Sequence, residues 1–169
     1  MENKSFEQQM QERKENAKLR WSVNKDKIVE LHDSINFRVH NFDKVVVHYA
    51  GSGDSGAIED MDFYLNDKEV FSNFCGYSSD KEQISFPSDS KFDETEKAEI
   101  RGSKIVRNFI TYLEDMVYDM LEERHGGWEI NDGQEGTFTL NFGGDIKNVS
   151  IVHDYETFYS DSTTYNENY

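Results

Sequence analysis

The chain is short of several things, and each shortage excludes something. There is one cysteine in 169 residues, Cys75, so no intramolecular disulfide can form. In Asn73-Phe74-Cys75-Gly76 that thiol has no histidine or cation beside it in sequence, and it reads as a packing residue rather than a nucleophile. There is one proline, Pro87, and no apolar run long enough to span a bilayer. No charged-then-apolar leader opens the chain, so the expected compartment is the cytoplasm. Positive charge is scarce. Lys and Arg number 18 against 34 Asp and Glu, a net charge of −16. The deficit is segregated: residues 1–50 carry a net +1 and residues 51–169 a net −17. Such a field repels nucleic acid and anionic membranes and attracts basic surfaces and metal cations.

Aromatic residues are plentiful. Apolar residues make up only 36% of the chain, but 12 Phe and 9 Tyr supply large burial areas. One folded α+β domain over 1–169 is the expectation. Residues 2–20 favour helix but offer a sparse apolar stripe (Phe6, Met10, Ala17). They read as a frayed helix or a docking arm for a partner. From Trp21 the stripe improves through Ile28, Leu31 and Ile35, which predicts a helix ending near 36–40.

Residues 44–50 and 58–65 read as two strands of a hairpin, with the Gly-rich 51–57 as its loop. In the second strand Met61, Phe63 and Leu65 share one face, and Asp60 and Asp62 the other. Residues 66–92 read as an irregular insertion with room for one short strand at 83–86. Asp93 and Glu96 then frame a capping box. The stripe Ile105, Phe109, Leu113, Met116, Val117, Met120 and Leu121 predicts a helix over about 94–125, with Gly102 as a point of kinking or splitting and Gly126 as its stop. Two strands, 137–142 and 147–158, close the chain around a turn at 143–145, followed by a polar tail at 160–169. The order α-β-β-insert-α-β-β gives a mainly antiparallel sheet of about four strands under a long central helix, with an additional N-terminal helix.

Two Gly-rich, acid-rich segments stand out: 51–60 and 125–136. Glycine concentrates where the backbone turns sharply or another group approaches closely. The first segment offers Asp54, Ser55, Glu59, Asp60 and, just beyond it, Asp62. The second offers His125, Trp128, Glu129, Asp132 and Glu135. Together they form a candidate contact face. A tryptophan after a helix stop most often plugs the core edge; the sharper reading makes Trp128 a pocket wall, with Glu129 or Asp132 reading a cationic group. A metal site drawn from Asp54, Glu59, Asp62, Glu129 and His153 would suit a hard divalent cation (Mg, Mn or Ca) and a small hydrolase. The spacing matches neither a calcium-binding loop nor a zinc motif. Gly53-Asp54-Ser55-Gly56 resembles a serine-protease stretch, but the chain is too short for that fold and Ala57 stands where a glycine should. The glycines also lack the lysine of a phosphate-binding loop.

Three stretches carry a resemblance: Gly-Asp-Ser-Gly-Ala-Ile-Glu-Asp at 53–60, Glu-Arg-His-Gly-Gly-Trp-Glu-Ile-Asn-Asp-Gly-Gln-Glu-Gly-Thr-Phe at 123–138, and His-Asp-Tyr-Glu-Thr-Phe-Tyr at 153–159. Together they resemble a small bacterial domain-of-unknown-function family found on plasmids and phages. That likeness implies a mobile-element or conflict-system setting and no known activity. The expectation is a non-enzymatic acidic interaction protein, an inhibitor or accessory factor that needs no cofactor. Its partner would present a basic protein surface, as a nucleic-acid-binding protein does. The alternative is the metal-dependent hydrolase.

Overall fold

The computed structural model describes residues 4–38, 42–75, 83–143, 149–158 and 163–169. Three helices, α1 (Phe6–Arg38), α2 (Glu94–Gly102) and α3 (Lys104–Arg124), lie against one face of an antiparallel sheet. The strands are β1 (Lys44–Leu65), β2 (Lys68–Phe74), β3 (Gln83–Ser85), β4 (Ile130–Phe142), β5 (Val149–Thr157) and β6 (Thr163–Asn168). They lie in the order β3-β2-β1-β4-β5-β6.

β1 is extended over all 22 residues, yet it doubles back. The Asp43 N–H donates to the Tyr64 carbonyl at 2.8 Å, and His48 meets Asp62 at 3.1 Å. A straight strand would hold those pairs tens of ångströms apart. Its first arm therefore pairs with β4 and its second with β2. The expected hairpin is present, but its Gly-rich middle is not a free loop: Gly51, Gly53 and Asp54 are themselves paired with β4.

Other expectations need correction. Among the described residues the sheet has six labelled strands, or seven when the two arms of β1 are counted separately, against the expected four or so. The short strand expected at 83–86 is present as β3, but the start of the supposed insertion at 66–92 is also a strand, β2, because Asn66 and Asp67 both take left-handed backbone angles (φ 51 and 59) and close a two-residue hairpin between Leu65 and Lys68. The segment after the main helix becomes strand β4 from Ile130 onward. Most of the polar tail pairs with β5 as β6. The turn expected at 143–145 lies mostly outside the described residues.

The central helix splits where Gly102 stands. Asp93 caps α2 with a full capping box, and Ser103 caps α3 through the Val106 N–H. One residue in extended geometry thus ends one helix and starts the next. α3 buries Val106, Phe109, Ile110, Leu113, Met116, Val117, Met120 and Leu121. These fall at helical spacing and form the face that meets the sheet. Phe42 sits at the core's centre, edge-on to Phe63 at 5.1 Å and to Phe109 at 5.3 Å.

α1 packs beside α3 through buried Ala17, Ile28 and Ile35. Arg20 spans Asp119 and Glu122 (2.8 and 2.6 Å), and the Trp21 indole N–H donates to Glu123 at 2.7 Å. Ahead of Ala17 the helix is largely exposed, with Phe6 77% accessible. No helix among the described residues is long and apolar enough to cross a membrane.

The sheet's two faces differ in kind. Val45, Val47, Tyr49, Phe138, Leu140, Ile151 and His153 alternate toward the helices and are buried. Their neighbours His48, Thr137 and Asp154 face the other way, in a row set by the register.

Candidate functional site

The two Gly-rich segments meet, and Trp128 joins them. The turn Gly126-Gly127, with φ +92 at Gly127, brings the chain off α3. The Trp128 N–H donates to the His125 carbonyl. The indole then lies over Gly51 and Gly56: a Cβ at either would come within 2.8 Å or 2.3 Å of the ring. Tyr49 meets the same ring edge-on at 5.4 Å. Packing is thus what Trp128 does here, and glycine at 51 and 56 is what admits it. Gly133 has φ +84 and touches Gly51, where a Cβ would stand 1.8 Å from the carbonyl oxygen. At Gly136 a Cβ would stand 2.9 Å from the Tyr49 hydroxyl and 2.4 Å from the Asp154 carbonyl oxygen.

The room left at Gly136 lets Tyr49 reach His153. Its hydroxyl lies 2.8 Å from His153 Nε2, and both side chains are buried. His153 Nδ1 faces the Tyr169 hydroxyl at 3.4 Å, and that hydroxyl donates to Glu167 Oε2 at 2.7 Å. The same carboxylate oxygen stands 3.6 Å from His125 Nε2. His125 Nδ1 lies 3.5 Å from the Gln134 amide. The row Tyr49–His153–Tyr169–Glu167 therefore ends against His125–Gln134, with the gap between Glu167 and His125 too long for a hydrogen bond. Burial pulls His153 down to about 3, helped by the neighbouring His125 and Arg124, so its imidazole is neutral near pH 7. Burial also lowers His125, against the pull of Glu167. It raises the hydroxyls of Tyr49 and Tyr169 above the ordinary tyrosine range.

On the opposite face a second group forms. His48 Nε2 lies 3.1 Å from Asp62 and 3.7 Å from Asp60. Burial raises Asp60, His48 opposes that shift, and Asp62 and Glu59 add to it. Glu69 is raised by burial and by the same two aspartates. Glu135 pairs with Glu156 across β4 and β5, and Asp154 lies on the same face. An open groove of about 660 Å³ crosses this end of the sheet, where Glu59, Asp60 and Glu135 stand with Phe74 and Phe158. Phe74 is 55% exposed. A second cavity, of about 520 Å³, lies by the β1–β2 turn against Val70 and Phe92 and holds no comparable cluster.

The residues singled out from sequence divide between these places. Ser55, Glu59, Asp60 and Glu135 line the groove, and Asp62 stands beside His48. His125 joins the inner network, while Trp128 packs on the glycines. Glu129 lies against Gly56, with Oε2 buried and without a hydrogen-bond partner. The side chains of Asp54 and Asp132 lie outside the described ones. The five-residue metal set Asp54, Glu59, Asp62, Glu129 and His153 has no common centre among its described members, because His153 faces the helices and Asp62 the open side. Four residues of the inner network were missed: Tyr49, Gln134, Glu167 and Tyr169. The alternation Tyr165, Glu167, Tyr169 was the available signal for the last two.

The chain matches the Family of unknown function (DUF6878) over residues 21–169. It belongs to that family. The match takes in both Gly-rich segments, all six strands and α1 from Trp21, leaving the exposed start of α1 outside it. No curated protein and no solved structure matches the chain.

Proposed function

We propose that this protein is a non-catalytic acidic binding module whose open sheet face docks a basic segment of another protein. One observation carries the reading: the groove that sets Phe74 and Phe158 beside Glu59, Asp60 and Glu135 on a face the helices leave uncovered. Exposed Phe74 and half-buried Phe158 offer apolar anchorage, and the acids around them select lysine or arginine. Desolvation and like charge already raise Asp60 and Glu69, so an arriving cation relieves repulsion that the free protein carries. The plasmid or phage setting implied by the sequence resemblance suits a partner that binds nucleic acid through the same basic surface. The protein would then act as an inhibitor or accessory factor of a conflict system.

The test is fluorescence anisotropy with a labelled Lys/Arg-rich peptide containing one aromatic residue, and an acidic peptide as control. The basic peptide should bind, and weaken as salt rises. Glu135→Lys and Phe74→Ala should each reduce affinity by about tenfold or more, since a central anchor contributes over 1 kcal/mol. Equal binding of both peptides, or affinity indifferent to both substitutions, overturns the reading.

A further inference from the structure

On the helix side of the sheet, we propose that His125, His153 and Glu167 form a site for a divalent transition-metal ion of the zinc or cobalt class. This is independent of the basic-partner reading, which concerns the opposite face. The two imidazole nitrogens and the carboxylate oxygen all lie within 4.8 Å of one another. His125 Nε2 and Glu167 Oε2 are already 3.6 Å apart. Ligands on a tetrahedral ion with bonds of about 2.1 Å stand roughly 3.4 Å apart, so the widest spacing has to close by at most about 1.4 Å. Glu167 is the natural part to move. It lies on β6, the strand at the sheet's edge, and its side chain is 33% exposed.

Each histidine is also held from behind, as metal-bound histidines are. The far nitrogen of His153 meets the Tyr49 hydroxyl, and the far nitrogen of His125 meets the Gln134 amide. With Nε2–H of His153 donating to the Tyr49 hydroxyl, Nδ1 is left as a lone pair beside the Tyr169 hydroxyl. An amide's oxygen and nitrogen exchange places by a simple flip. With the Gln134 oxygen accepting Nδ1–H of His125, Nε2 becomes the second lone pair. That nitrogen is buried and has no hydrogen-bond partner, which a bound ion would supply. The Tyr169 hydroxyl stands next to the ion position and donates to Glu167, holding that carboxylate beside it. Arg124 is the opposing charge: it lies 4.0 Å from Glu167 and stacks on Tyr169 at 4.2 Å. Two nitrogens in three ligands select borderline ions over Mg²⁺ and Ca²⁺.

The experiment uses the full chain, stripped with chelator and then titrated with Zn²⁺, Co²⁺, Mg²⁺ and Ca²⁺. Zn²⁺ at 100 times its dissociation constant should raise the melting midpoint by roughly 5–11 °C. One equivalent of Co²⁺ should develop a visible ligand-field absorption, a readout that does not depend on melting. Mg²⁺ and Ca²⁺ should shift nothing. His125→Gln and Glu167→Gln should each weaken Zn²⁺ at least tenfold, with circular dichroism confirming their fold. Asp62→Asn, in the outer cluster, should leave Zn²⁺ binding unchanged. Glu167→Gln should leave the basic peptide bound as before. The absence of a Co²⁺ band in the wild type, or a Zn²⁺ response that survives both substitutions or disappears in Asp62→Asn, overturns the assignment.

Discussion

Two clusters on opposite faces of one sheet are built from the same materials and held in different states. On the helix side His125, His153 and Glu167 are threaded through Tyr49, Tyr169 and Gln134, and burial lowers both imidazoles. On the open side His48 faces Asp60 and Asp62 with water at hand, and acids crowd acids. The first cluster is governed by hydrogen bonding and desolvation; in the second, desolvation is joined by like charge. The difference follows from strand alternation. Tyr49 and His48 are sequence neighbours, and the pleat sends one under the helices and the other to solvent.

The largest expected effect comes from breaking the seam that positions the inner cluster. Gly133→Ala would force a side chain into a left-handed backbone angle and against the Gly51 carbonyl oxygen. Backbone strain and overpacking together should cost about 3 kcal/mol or more. Urea denaturation measures it, and a loss below about 1 kcal/mol would mean that the two segments are not in the described contact.

Comparable in size is the response to pH, where the clusters should pull in opposite directions. His153 is depressed from 6.5 to about 3 in the folded protein. Between those values the unfolded chain binds the proton and the folded one does not. Stability from this group is therefore complete above about 6.5 and falls as pH drops toward 3, by about 1.4 kcal/mol per pH unit within the window. His125 and His32, both lowered by burial, act with the same sign. Asp60 and Glu69 are raised, so the folded protein holds their protons more tightly, and acidification through their range favours folding. Unfolding free energy measured against pH should decline toward acid in the wild type and decline more steeply in Asp60→Asn. An unchanged slope in that variant would remove the outer acids from the account.

The same contrast governs what could be read before the structure. α3 was legible because its stripe, its Gly126 stop and the capping box ahead of α2 all agree. The arms of β1 were legible because β-branched and aromatic residues alternate with polar ones. The strands β2 and β6 were less legible. Asn66-Asp67 is a tight turn without glycine, and β6 is a polar edge strand whose alternation carries no apolar signal. Both Gly-rich segments were recognisable as built, but not their purpose. Glycine marks close approach without naming the partner, and Trp128 occupies the space at Gly51 and Gly56. The outer acids could be grouped because two of them stand two residues apart on one strand. The inner cluster joins residues from α3's end, β5 and β6, and no local pattern ties His125 to Glu167.

The smallest effects should distinguish the clusters most cleanly. Tyr49→Phe removes one hydroxyl and leaves His153 Nε2 buried without its partner, which should cost about 1–3 kcal/mol. Asp62→Asn removes a charge from a crowded, partly exposed group, and the change should stay within about 0.5 kcal/mol. The substitutions are matched in size, a single atom deleted or exchanged. If urea unfolding gives comparable losses for both, the outer pair is as structurally committed as the inner network. That would count against a face kept free for a basic partner, because a carboxylate already engaged in holding the fold has less to gain from an arriving cation.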